Sequence, residues 1–170
     1  GVNLAFFSGN EVFWKTRFEN SAYGAPTDHR TLVTYKETHS NAKIDPQDPP
    51  TWTGTWRDPR FSPPADGGRP ENNLTGTIFT VNCCTNATIR VSSTYKSLPF
   101  WRNTRVATLA NGASTTLTAG MLNYEWDEDL NNGFRPAGLT RLSATTVNGV
   151  SKLQDYGSTY ATGNATLTKT

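Results

Sequence analysis

The segment Tyr124-Glu125-Trp126-Asp127-Glu128-Asp129 gathers ionisable side chains more densely than any other stretch of this chain. Alternate residues of a strand share one face, so Glu125, Asp127 and Asp129 would crowd like charge together there. Such crowding is costly unless a cation or an arginine offsets it. A hard cation such as calcium could sit among Glu125, Asp127 and Asp129, because carboxylate oxygens are its preferred ligands. Alternatively one carboxyl has a raised pKa and serves as acid or base, with Glu125 the catalytic candidate. The plainest reading is a solvated acidic turn neutralised by Arg135 and Arg141.

A second group, Ser8-Gly9-Asn10-Glu11, follows an apolar run. Ligands in open α/β sheets collect at the carboxyl ends of strands, which makes Glu11 and Arg17 pocket candidates. A turn capped by Asn10 explains the same residues. Trp52, Trp56 and Trp101, with arginines such as Arg57 beside them, suit a sugar-stacking or peptide groove, or simply cation–π packing. The adjacent Cys83 and Cys84 point to opposite faces of a strand, which disfavours a shared metal and leaves a vicinal disulfide or two thiols. Zinc held by Cys83, Cys84, His29 and His39 matches no familiar ligand spacing. Sequons at Asn73, Asn86 and Asn164 are weak signals in a Thr-rich chain. No phosphate loop, nucleophile elbow or His-Glu metalloprotease motif occurs.

The elements that must position these residues read as strands and turns. Val2 to Phe7 is a continuous apolar run that predicts a buried strand. From Glu11 to Glu19 the residues alternate, with Val12, Trp14, Thr16 and Phe18 on one face and Phe13, Lys15, Arg17 and Glu19 on the other. That strand pairs as a hairpin with Thr31–Lys36 across a loop containing Gly24 and Pro26. Between Ile44 and Leu74, prolines exclude regular helix or central strand, yet Trp52, Trp56 and Phe61 argue for order, which predicts an extended arm or lid. Further strands are expected at Gly76–Val81, Thr88–Val91, Arg105–Leu109, Thr115–Thr118 and Ala165–Thr168. Asn148-Gly149 between two apolar-containing runs predicts a two-residue hairpin turn. No helix longer than two turns is expected. The pattern therefore divides into a strand plus hairpin (1–43), a Pro/Trp-rich arm (44–75) and an antiparallel β region (76–170), a sheet or sandwich with long ordered loops. An apolar strand at either end suggests a single domain or a fragment of a larger one, whose open edges would pair with the rest of a parent domain or another copy.

Charged residues form 18 % of the 170 and the formal net charge is +2. This scattered, small excess argues against a nucleic-acid partner. No apolar stretch reaches the roughly 20 residues that span a bilayer. Abundant Thr, Asn, Ser and Gly suit an extracellular surface, with any export signal belonging to a longer precursor.

Several blocks together resemble a known family. Gly1 through Arg17, Thr51-Trp52-Thr53-Gly54-Thr55-Trp56-Arg57-Asp58-Pro59, Tyr124-Glu125-Trp126-Asp127 and Gly133-Phe134-Arg135-Pro136 are similar to the C-terminal domain of the N,N-dimethylformamidase large subunit and its secreted bacterial relatives. The resemblance implies a β-rich α/β fold, with strands of a glutamine-amidotransferase-like core elaborated by antiparallel β structure. It also implies amidohydrolase activity on a small amide, with iron held by two tyrosines and a glutamate in the full-length parent. The segments that supply those ligands precede the part matched here, so the resemblance implies no iron ligand in this chain and an incomplete catalyst. Glu125 matches the family's second catalytic glutamate, with Glu11 and Arg17 flanking the same cleft and Trp56, Arg57 and Asp127 as binding residues. The alternative is an extracellular β-rich binding or self-assembling module in which the aromatic arm contacts carbohydrate or protein.

Overall fold

The structure is a computed structural model that describes residues 1–7, 10–47, 52–60, 68–83 and 86–153, and the backbone of 160–167. In chain order its elements are β1 (Arg17–Glu19), β2 (Thr31–Val33), the helical turns α1 (Glu37–Ser40) and α2 (Asn72–Thr75), then β3 (Ile78–Cys83), β4 (Asn86–Ala87), β5 (Arg90–Ser92), β6 (Ser114–Thr116), β7 (Leu122–Asn123), β8 (Trp126–Glu128), β9 (Thr145–Leu153) and β10 (Tyr160–Leu167). Two short 3-10 turns lie between β5 and β6. Every strand pairing is antiparallel among the described residues, as the pattern of alternation and turns predicts.

The largest sheet has the order β10-β9-β3-β8, and three two-stranded ribbons surround it. β3 is central because Ile78, Phe79, Thr80 and Val81 are all buried, so both of its faces meet core. On one side Val81 packs with Leu122, Trp126, Val147 and Val150. Phe79 joins Phe13 and Leu153 in a second cluster, with Phe13 edge-on to Phe79 at 5.1 Å between centroids. A third cluster, Val91 with Trp101 and Val106, fills the space under the β5–β6 ribbon.

The hairpin between Glu11–Glu19 and Thr31–Lys36 forms as β1 and β2, with Phe18 opposite Leu32. The structure decides which face of the first strand turns inward. Phe13 and Lys15 are buried while Val12, Thr16 and Phe18 are exposed, with Lys15 set over the Trp56 ring and Arg17 paired with Asp45 from the loop after β2. The segment Val2 to Phe7 is no buried strand: it has no strand partner among the described residues, and Val2 and Phe7 are 88 % and 94 % exposed.

The Pro-rich stretch is also no lid over the surface. Trp52, Thr53, Thr55 and Asp58 are fully buried, making its middle part of the interior, while 48–51 and 61–67 lie outside the described residues. Trp14 bridges Thr55, and Lys15 N–H donates to Gly54 O at 2.8 Å, which stitches the stretch to the entry of β1. Arg105–Leu109 forms successive turns instead of a strand, with Thr108 N–H and Leu109 N–H each donating three residues back. Asn148-Gly149 makes no hairpin. It lies inside β9, where Val147 and Val150 pair with Ala165 and Gly163, so two residues oppose one and Gly149 sits at φ 67°. That is a glycine bulge, a local geometry that Asn-Gly satisfies as readily as a tight turn does.

Candidate functional site

A local bulge of the central strand lies at the wall of one cleft. The β3–β8 register runs from Phe79–Asp127 to Val81–Trp126, leaving Thr80 as the extra residue. Bulges re-aim side chains, and the Thr80 hydroxyl donates to Glu128 Oε1 at 2.8 Å. From the neighbouring strand, Lys152 Nζ reaches the same oxygen at 3.1 Å. Three adjacent strands thus bring Thr80, Glu128 and Lys152 to one wall of a cleft of about 490 Å³. Ile78, Leu130, Phe134 and Leu153 supply apolar surface around them. Both bonds fall on Oε1, so Glu128 Oε2 has no protein partner among the described residues.

Arg57 also borders this cleft, but its guanidinium is committed inward. Its Nε donates to Glu71 at 3.2 Å, a second contact closes the pair, and it donates to Phe79 O at 2.7 Å. Stacked over Phe13 at 5.2 Å, it orders the cleft floor. Across the mouth, the side-chain amides of Asn72 and Asn132 exchange bonds of 2.8 and 3.3 Å.

The acidic segment is resolved into separate environments. Glu125 is exposed, whereas Asp127, Glu128 and Asp129 are buried. Asp127 accepts from Asn10 N–H at 3.1 Å and from the Thr77 hydroxyl at 3.4 Å. Asp129 lies between Arg135 at 2.6 Å and Arg141 at 2.5 Å, the two arginines expected to neutralise the segment. Glu125, Asp127 and Asp129 therefore do not converge, since the strand is too short to hold all three in register.

Arg17 pairs with Glu19 at 2.6 Å and closely with buried Asp45. Burial pushes the Asp45 carboxyl upward, but Arg17, the Gln47 N–H and Lys43 outweigh it and hold it below the usual carboxylate range. The Arg17 guanidinium is correspondingly raised, chiefly by its bond to Asp45. Glu11 is half-buried, and Trp56 is half-buried with Lys15 Nζ 5.7 Å from its ring. These residues and Arg57 lie along the entry of β1 and the 52–58 stretch; Arg57 alone of Glu11, Arg17, Trp56, Arg57, Glu125 and Asp127 lines the cleft. Cys83 is disulfide-bonded, and Cys84 lies outside the described residues. His29 and His39 are both exposed.

Among the described residues, no three His, Cys, Asp or Glu side chains converge as metal ligands. Tyr23, Tyr35, Tyr95 and Tyr124 lie at the surface.

Sequence reasoning missed Thr80, Glu128, Lys152 and Glu71. Lys152 lies in one arm of an expected hairpin; in the structure it pairs with Val81 on β3, and its ammonium reaches across that strand to Glu128 on β8. The run of carboxylates from Glu125 to Asp129 was the available signal for Glu128.

An antiparallel β domain with an ion pair set in an apolar-walled cleft is the class that fold and site define. The chain belongs to the family described as N,N-dimethylformamidase beta subunit-like, C-terminal, which matches residues 1–169. No curated protein and no solved structure matches it.

Proposed function

We propose that this chain is the β-rich, substrate-facing part of a secreted amidohydrolase of the N,N-dimethylformamidase kind, attached to a glutamine-amidotransferase-like α/β core. By itself it is catalytically incomplete in this reading, since the resemblance places the tyrosine and glutamate ligands in segments of a longer parent. Family membership supports the reaction class. The observation that carries the reading of the cleft is Glu128, a buried carboxylate with Oε2 unclaimed beside an ammonium.

In that cleft Lys152 would donate to a carbonyl oxygen, while Glu128 Oε2 would accept a proton from water or an N–H group. Glu125, the residue that the resemblance matches to the second catalytic glutamate, stands three positions earlier and outside the cleft lining. Amide hydrolysis and bound iron should be measured for this chain and for a longer polypeptide carrying the family's ligand segment. The short chain is expected to show neither, and equal activity or iron loading in both would overturn its incompleteness. In the longer polypeptide, Glu128→Gln is expected to lower kcat by about 100-fold or more, within the range for loss of a general base. Full activity of Glu128→Gln alongside an inactive Glu125→Gln would transfer the role to Glu125.

A further inference from the structure

A second site stands apart from the cleft, on the β5–β6 ribbon. Arg90 and Ser92 are two residues apart on β5 and face Thr116 and Ser114 on β6. All four side chains consequently share the exposed face, while Val91 turns into the core. Residues 141–144 run alongside, fixed where Ala144 N–H donates to Arg90 O at 2.9 Å. Arg90 N–H in turn donates to Thr145 Oγ1 at 3.0 Å. This docking brings Arg141 and Ser143 to a hollow of about 310 Å³ that Arg90, Ser92 and Ser114 also line. An adjoining hollow of about 500 Å³ shares Arg90 and is lined by Thr88, Thr116, Thr145 and Thr146.

The charge balance of these hollows is one-sided. Neither lining includes an Asp or Glu. The guanidinium of Arg90 contacts only the Ser114 hydroxyl, at 3.4 Å, among the described residues. Arg141 pairs with Asp129, but that single carboxylate is shared with Arg135, so the group retains a net positive charge. Two guanidinium forks beside hydroxyl donors match the oxygens of a tetrahedral anion.

We propose that this face binds an oxyanion, a sulfate or phosphate ester group held by Arg90 and Arg141, with the threonine-lined hollow receiving the alcohol that carries it. The inference is independent of the amidohydrolase reading, because it uses none of the cleft residues.

The intact chain should be titrated with inorganic sulfate, inorganic phosphate, a hexose 6-sulfate and a hexose 6-phosphate, with chloride holding ionic strength constant. Amide chemical shifts in 90–92, 114–116 and 141–144 are expected to move and saturate with at least one of the four probes. Arg90→Gln should weaken that binding about tenfold or more, and Arg90→Lys should only partly restore it because the fork is lost. Arg102→Gln, an exposed change elsewhere, should leave it unaltered. Preference for the sulfated or the phosphorylated sugar assigns the source of the anion, and either supports the site. Non-saturating shifts for all four probes, or equal affinity in folded Arg90→Gln, would overturn it.

Discussion

Glu71 and Arg57 show how one side-chain pair can hold a cleft without taking part in its chemistry. Both are buried, and Glu71 Oε1 also accepts from Phe79 N–H at 3.2 Å, so the pair anchors the central strand. Glu71→Ala leaves Arg57 buried without compensation and is expected to cost about 3–5 kcal/mol in urea unfolding. The double variant Arg57→Met/Glu71→Leu should be less destabilised than that single change. Gly54 has a steric reason for its identity: an added Cβ would lie 2.3 Å from Trp52 Cη2 and 2.5 Å from Thr38 Oγ1. Gly54→Ala is therefore expected to cost at least about 1–3 kcal/mol, the range for overpacking a well-filled interior. The Thr-Trp-Thr-Gly-Thr-Trp block was visible in the sequence as a cluster of aromatics. Packing was one of the two readings the sequence offered, and the structure decides for it at Trp52, because a buried tryptophan and a sugar-stacking one have the same local composition.

At the level of elements, alternation located β1 and β2 but did not choose which of their faces turns inward. Arg17 faces in because the loop after β2 brings Asp45 to that side, and Lys15 beside it lies over the Trp56 ring. Glu37, fully buried, accepts from Lys43 Nζ at 3.0 Å, from Ile44 N–H at 3.3 Å and from Asp45 N–H at 3.0 Å, and it also contacts Thr53 N–H. That one carboxylate fixes the loop which presents Asp45 to Arg17. Bulges were equally hidden. Asn148-Gly149 carries the local preference for a left-handed residue, which serves a hairpin or a bulge, and pairing with β10 selected the bulge. Gly149→Ala should destabilise by about 1–2 kcal/mol through left-handed strain, since no neighbour lies within 4 Å of the added Cβ. Gly149→Asn should cost less, as measured by thermal unfolding, because asparagine tolerates that conformation.

For the whole molecule, acid should act through these interior carboxylates. Asp45 binds its proton less tightly in the native chain than in the unfolded one. Its contribution to stability is then fully present above the unfolded carboxyl pKa of about 3.9 and is lost as pH falls through the lower native value. Urea midpoints of the native chain should accordingly fall on acidification below about pH 4, where the unfolded carboxyl begins to take up its proton. Asp45→Asn should be less stable near neutral pH, with a flatter pH dependence over the same interval. Identical slopes for the two proteins would remove Asp45 from the account.

Composition, alternation and the spacing of turn residues determined the antiparallel β class, the first hairpin and the lack of long helices among the described residues, while the family was carried by the similarity of particular sequence blocks such as Gly1 through Arg17 and Thr51 through Pro59. They also singled out the acidic segment and the arginines that neutralise part of it. These are local properties, set by backbone preference and the period of the side chains. Only tertiary structure decided that the Pro/Trp stretch enters the core, that Glu128 meets Lys152, and that Arg90 and Arg141 share a surface. Each of these depends on strand register and on which distant carboxylate offsets a buried cation, and neither is encoded within any one window of residues.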